Sequence, residues 1–177
     1  SSAADPQGRP IVTGLVPPEP RVFPVGRLDD ASEGLLILTN DGELANLLTH
    51  PRFWVENTYT VLVEGLPTPA DMRSLCDGVE LDDGPAAALR AKVVDRHGHQ
   101  ALLEIVMGEG RKREVRRMCA AVGHPATRLV RTAIGPLRDP HLRPGTWRSL
   151  TLDEVRSLYE AAGGKGEDAP PGEEGAP

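Results

Sequence analysis

Apolar residues recur along the chain in short runs whose spacing alternates between that of strands and that of helices. Strand-like runs predict β-structure at residues 11–16, 34–39, 58–64, 89–96, 101–107 and 127–137. Helical spacing and capping residues predict helices at residues 43–50, 68–78, 113–122 and 151–162. Since consecutive strands such as those around Gly98 are joined by short loops, the pattern predicts an α+β fold. We expect a largely antiparallel mixed sheet with flanking helices.

The length of 177 residues predicts one folded domain. We place that domain at residues 1–163 and expect 164–177, rich in Gly, Pro and carboxylates, to be a disordered acidic tail. No long apolar run or secretory pattern occurs, so we expect a soluble, cytoplasmic protein. Cys76 and Cys119 stand far apart without a ligand-like spacing, which favours buried thiols over a disulfide or a metal site.

Charge is unevenly distributed along the chain. The net charge is −6, but residues 111–131 hold seven Arg or Lys against Glu114 alone. Affinity for a polyanion comes mainly from such cations, so this segment predicts a nucleic-acid contact. Arg also outnumbers Lys, which is explained either by bidentate phosphate recognition or by a GC-rich genome.

The densest group of reactive side chains lies between Val25 and Gly42, in the segment VGRLDDASEGLLILTNDG. A carboxylate such as Asp29, at the mouth of a buried strand, can be held rigidly and used as a nucleophile or base, with Arg27 keeping it ionised. On residue types alone, a solvated acidic turn with a salt-bridged Arg is the simpler interpretation.

This segment resembles the GRLD-x-x-(S/T)-EGLL-x-LTNDG signature of the RsuA/RluB-type pseudouridine synthases, which isomerise uridine in ribosomal RNA without a cofactor or metal. The resemblance implies that Asp29 is the catalytic residue. In that family an S4-type RNA-binding domain usually precedes the catalytic domain, and we expect this chain to lack it together with the first strand.

Further stretches match the same family in order. NTYTV at 57–61 resembles its K-T-Y-x-V strand and implies that Tyr59 stacks on the target base, although an ordinary strand aromatic would look the same. EGRKREVRRM at 109–118 resembles its EGR-x-x-QVRRM element and implies that Arg116 pairs with Asp29. Glu114 stands where the family most often has Gln. Two later stretches, 129–137 and 144–151, resemble the family's L-x-R-x-x-I-G-x-L and closing motifs.

The predicted substrate is ribosomal RNA, bound by a monomer with no membrane association. The candidate RNA contacts are Arg27, Arg111, Lys112, Arg113, Arg117 and Arg131. A solvated helix face is the alternative explanation for Lys112 and Arg113. We expect the large-subunit RNA to be the target, and the small-subunit RNA is the alternative.

Two other classes of protein are compatible with parts of this pattern. A non-catalytic RNA-binding module would account for the basic segment but not for the carboxylate of Asp29. A retaining glycosidase would need a carboxylate pair about 5–5.5 Å apart, for which Asp29 and Glu33 are candidates, but it would leave the arginines unexplained.

Overall fold

The computed structural model describes residues 11–53 and 55–163, and within them ten strands and four α-helices. The strands are β1 (Phe23–Pro24), β2 (Ser32–Gly34), β3 (Leu38–Thr39), β4 (Asn57–Glu64), β5 (Val79–Leu81), β6 (Gly84–Ala86), β7 (Arg90–His97), β8 (Gln100–Met107), β9 (Ala126–Ile134) and β10 (Leu137–Arg138). The helices are α1 (Gly42–Thr49), α2 (Pro69–Asp77), α3 (Glu114–Ala121) and α4 (Leu152–Gly163). The predicted acidic tail lies outside the described residues.

One sheet dominates the fold. Its strands run in the order β10–β9–β4–β8–β7 with antiparallel neighbours, and β2 adds to β9 in parallel. Two further sheets each contain two strands, β1 with β3 and β5 with β6. The predicted α+β architecture with a largely antiparallel mixed sheet is therefore confirmed.

Two hydrophobic clusters stabilise opposite ends of this sheet. The first packs α2 and α3 against the middle strands and includes Leu75, Leu103, Ile105 and Met118. The second packs α1 and α4 around Leu48, Val55, Ile134 and Leu158. β9 contributes Leu129 to the first cluster and Ile134 to the second, so a single strand connects the two.

The helices begin where local sequence favours a cap. Thr68 accepts a hydrogen bond from the backbone of Asp71, whose carboxylate accepts in return from the backbone of Thr68. Thr151 and Glu154 form the same reciprocal pair before α4. Such caps satisfy backbone donors that lack a partner within the helix.

Three predicted strands differ from the structure. Residues 11–16 contain a 3-10 turn, Val12–Leu15, with no buried residue, so no apolar face holds them in a sheet. The predicted strand 34–39 overlaps β2 only at Gly34, where φ is 115°, and overlaps β3 at its end. β2 pairs with β9 and β3 pairs with β1, so the two belong to different sheets. The predicted strand 127–137 forms two antiparallel strands, β9 and β10, and the chain reverses at Gly135, where φ is 53°. The ends of the remaining predicted elements agree to within a few residues.

Candidate active site

A cavity of about 460 Å³ opens between the two hydrophobic clusters. Its walls come from the loop before β2, from β4 and β9, and from the loop 108–113 that leads into α3. Apolar residues of both clusters form part of the lining: Val25, Ile37, Leu48, Val55, Val115, Leu129 and Ile134. Asp29, Tyr59 and Arg131 line the same space. The volume falls in the range of small-molecule sites, and apolar walls with a few polar groups are typical of them.

The backbone around Asp29 is fixed by contacts with β9. The N–H of Ser32 donates to the carbonyl oxygen of Asp29 at 2.8 Å and closes a tight turn. β2 then pairs with β9, where Gly34 lies opposite Arg131. A β-carbon at Gly34 would lie 2.2 Å from the carbonyl oxygen of Arg131, so only glycine allows this approach. The strand pairing therefore holds the carboxylate at a defined place in the cavity wall.

Glu33 stabilises the same segment from outside the cavity. Glu33 accepts two hydrogen bonds from Arg128 of β9, at 2.8 and 3.0 Å, and does not line the cavity. A carboxylate pair of Asp29 and Glu33, as a glycosidase would need, therefore does not form in this cavity.

Arg116 lies elsewhere than the family resemblance implied. Its guanidinium donates to the carbonyl oxygens of Ala31 at 2.7 Å and Ala126 at 3.4 Å, and it is absent from the cavity lining. No ion pair joins it to Asp29 among the described residues. It instead fixes the backbone two residues after Asp29, through its hydrogen bond to Ala31.

Tyr59 and Arg131 form the polar pair opposite this loop. They are neighbours in register on β4 and β9, next to a bulge between Thr58 and Tyr59. The Nε of Arg131 donates to the carbonyl oxygen of Leu35 at 2.9 Å, and the guanidinium interacts electrostatically with the Tyr59 side chain. Only 7% of Arg131 is exposed. Burial lowers the pKa of this guanidinium and the contact with Tyr59 opposes that shift, but arginine stays charged in proteins.

Ser32 is a polar wall residue that sequence reasoning missed. It lines the cavity three residues after Asp29, and its hydroxyl oxygen is buried with no hydrogen-bond partner among the described residues. The signal was present in the sequence, as the serine of the segment DDASEG. Only the pairing of β2 with β9 shows that Ser32 lies in the cavity wall.

The candidate RNA-binding cations outside the Tyr59–Arg131 pair divide into two groups. Arg111 donates to Asp83 at 3.1 Å and to backbone oxygens of the β5–β6 hairpin, and Arg117 donates twice to the same carboxylate, at 2.7 and 3.1 Å. The arginine contacts lower the pKa of Asp83. Lys112 and Arg113 are exposed at the cavity and form no ion pair in the described part of the chain, and Arg27 is also exposed there. Arg27, Lys112 and Arg113 are therefore available to a ligand. Arg111 and Arg117 instead stabilise the contact between the start of α3 and the β5–β6 hairpin.

Glu114 is a buried acid at the cavity wall, with 3% of its surface exposed. Its carboxylate accepts from the backbone N–H of Arg111 at 2.9 Å and from the Nε of Arg111 at 3.3 Å. Burial, followed by a hydrogen bond with Glu109, raises its pKa to about 6. Arg113, just before it, adopts a left-handed backbone with φ of 52°, a strained conformation that tends to occur at functional sites.

Two further observations on residues 11–53 and 55–163 concern metal ligands and membrane spans. No group of three or more His, Cys, Asp or Glu side chains is placed to hold a metal ion. None of the described helices combines the length and apolar character needed to cross a bilayer.

A sequence profile described as RNA pseudouridylate synthase matches residues 15–121, which include Asp29 and Tyr59. The chain belongs to this family. It is 47% identical over 159 residues to an uncharacterized RNA pseudouridine synthase of Aquifex aeolicus, covering 89% of this chain and 64% of the relative. It is 39% identical over 165 residues to ribosomal large subunit pseudouridine synthase B of Bacillus subtilis, covering 92% and 68%. These matches confirm the resemblance on which the sequence analysis relied.

The fold has a solved counterpart in the same family. A crystal structure of a pseudouridylate synthase superposes with a TM-score of 0.77 at 28% identity, covering 84% of this chain and 65% of that one. The chain spans 64–66% of the length of the curated Aquifex and Mycobacterium relatives that it matches.

Proposed function

We propose that this chain is the catalytic part of an enzyme that converts a uridine of ribosomal RNA to pseudouridine, with Asp29 as the catalytic residue. The observation that carries the proposal is the meeting of Asp29, Tyr59 and Arg131 in one cavity of a family member. Large-subunit RNA is the substrate we favour, because a relative that matches 92% of the chain is named a large-subunit enzyme. We further propose that it acts as a monomer in the bacterial cytoplasm.

The reaction is a rearrangement within one nucleotide. The bond from uracil N1 to ribose C1′ breaks, the base turns, and C5 bonds to C1′. The proton on C5 is then lost and N1 gains one, so no electrons enter or leave. A uridine inside folded RNA must first leave its stack and enter a pocket, which the 460 Å³ cavity can supply.

Asp29 acts at the sugar, either as a nucleophile on C1′ or as a base at C2′. Both roles need an ionised carboxylate held in place. The turn to Ser32 and the Arg116 contact with Ala31 fix its backbone, and Arg131 lines the same cavity.

Tyr59 contributes a ring face and a hydroxyl. The ring can stack against the base, and the hydroxyl can take part in removing the C5 proton. Arg131 lies beside Tyr59 in register and interacts electrostatically with its side chain, so the cation helps to position the hydroxyl.

The exposed cations around the opening supply RNA affinity. Arg27, Lys112 and Arg113 surround the cavity without ion-pair partners in the described part of the chain, so phosphates can reach them. Arg27 is in addition the residue we expect to occupy the space that the extruded nucleotide leaves.

The decisive experiment combines one substitution with a map of the product. The protein is incubated with ribosomal RNA fragments, and pseudouridine is located by chemical adduct. Asp29→Asn should abolish conversion while RNA binding and folding remain, because the amide keeps the shape but loses the charge. Asp30→Asn is the matched control, since Asp30 does not line the cavity.

Three results would contradict parts of this proposal. Full turnover by Asp29→Asn would remove Asp29 from the mechanism. Tight RNA binding without conversion by the unaltered chain would favour the RNA-binding module. Pseudouridine found only in small-subunit or transfer RNA would overturn the large-subunit target.

For Tyr59, the variant Tyr59→Phe should slow conversion and Tyr59→Leu should slow it further.

A further inference from the structure

Two hydrogen-bond donors at the cavity are buried and unused. The Ser32 hydroxyl oxygen and the Arg131 Nη2 atom each lack a partner among the described residues. The Nε of Arg131 is engaged by Leu35, and the guanidinium also contacts Tyr59. Buried polar groups in native proteins are nearly always paired, so an unpaired one at a cavity calls for an explanation.

The sheet explains why these two donors share a wall. In the parallel pairing of β2 with β9, Ser32 lies opposite Leu129 and Gly34 lies opposite Arg131. Leu129 and Arg131 are two residues apart on β9, so their side chains leave the same face, and both line the cavity. Ser32 therefore enters the wall beside the Arg131 guanidinium, on the segment that carries Asp29.

Building on the proposed function, we propose that Ser32 is a substrate-binding residue whose hydroxyl, with the free Nη2 of Arg131, donates hydrogen bonds to the carbonyl oxygens of the uracil ring. The two donors would then complete their hydrogen bonding only when the base occupies the cavity.

During the rearrangement, such donors would stabilise negative charge on the uracil ring. When the N1–C1′ bond breaks with its electron pair on the base, negative charge spreads over N1 and the carbonyl oxygens of the ring. Donors held in the cavity wall next to those oxygens would stabilise the charge with little reorganisation. Once C5 has bonded to C1′ and lost its proton, N1 is protonated and the ring is neutral again.

The same donors favour uracil over cytosine. Cytosine carries an amino group where uracil has its 4-carbonyl oxygen, and a guanidinium has no acceptor for that group. A site that donates to both carbonyl oxygens would leave a cytosine amino group facing a donor. Such a mismatch of buried polar groups is costly, so cytidine should be bound poorly.

The test measures binding of small nucleotides, which does not require turnover. Affinities for uridine 5′-monophosphate, cytidine 5′-monophosphate and ribose 5-phosphate are measured by NMR titration with the unaltered chain, Ser32→Ala and Ser32→Thr. Ser32→Ala should bind uridine monophosphate about tenfold more weakly. Its affinity for ribose 5-phosphate should not change, and Ser32→Thr, which keeps the hydroxyl, should restore uridine binding.

The inference is overturned if Ser32→Ala binds uridine monophosphate as well as the unaltered chain does, or if both nucleotides weaken equally with ribose 5-phosphate. Equal losses in Ser32→Ala and Ser32→Thr would also overturn it, because the hydroxyl would then be irrelevant. Turnover on ribosomal RNA is a separate measurement with the unaltered chain. A failed proposed function would remove that turnover without removing the preference for the uracil ring.

Discussion

Glu114→Gln tests whether the buried acid at the cavity wall is linked to pH. In the folded protein its pKa is raised from 4.5 to about 6, first by burial and then by the hydrogen bond with Glu109. The charged groups that face it are Glu109 and Arg111 of the preceding loop, together with Arg117 on α3. Gln keeps the size of the side chain and one oxygen that accepts from Arg111, but it does not titrate.

The sign and size of the effect follow from that shift. The folded protein binds the Glu114 proton more tightly than the unfolded chain, so the stabilisation is present below pH 4.5 and is lost as pH rises through 6. A shift from 4.5 to about 6 corresponds to at most about 2 kcal/mol, since one pKa unit equals about 1.4 kcal/mol. At pH 7 the Gln variant should be at least as stable as the unaltered protein, because it buries no charge.

The assay is urea unfolding of both proteins at pH 7, 6, 5 and 4.5. The difference in unfolding free energy isolates Glu114, because every other titrating group occurs in both proteins. Between pH 7 and pH 4.5, the unfolding free energy of the unaltered chain should rise by about 1–2 kcal/mol relative to that of Glu114→Gln. Glu160→Gln, at an exposed position of α4, should show a flat difference. A flat or inverted difference for Glu114→Gln would refute the reasoning.

Two other predictions concern residues that shape the cavity from a distance. Both side-chain hydrogen bonds of Arg117 go to Asp83, so Asp83→Asn should release this arginine for RNA. The plot of log RNA affinity against log salt concentration should then become steeper, by up to about 0.7–0.9 for each new phosphate contact. Asp82→Asn should leave that slope unchanged, and an unchanged slope for Asp83→Asn would contradict the assignment. Gly34→Ala should destabilise the fold by about 3 kcal/mol or more in thermal or urea unfolding, because its β-carbon would meet a backbone oxygen of β9 at 2.2 Å. Gly42→Ala, with no atom within 4 Å, should be close to neutral, and equal stability of the two variants would refute the steric argument.

The part of the site that depends on Asp29 and Tyr59 could be predicted from sequence, because long motifs carry both residues and both lie in the cavity. The roles of the basic residues could not. Arg116 and Arg131 both belong to matching motifs, yet only Arg131 lines the cavity. Strand register decides this, since Arg131 lies beside Tyr59 in the sheet, whereas Arg116 on α3 points to the outside of the Asp29 loop.

Local sequence determined the elements whose signals lie within a few residues of each other. The caps at Thr68 and Thr151 needed only partners three residues away, and β7 and β8 needed only a two-residue turn. Contacts between distant segments decided the rest. Arg117 meets Asp83 across 34 residues, and Gly34 meets β9 across almost a hundred. The sequence does not distinguish a free charged side chain from one in an ion pair, so only the tertiary structure determines which cations face a ligand.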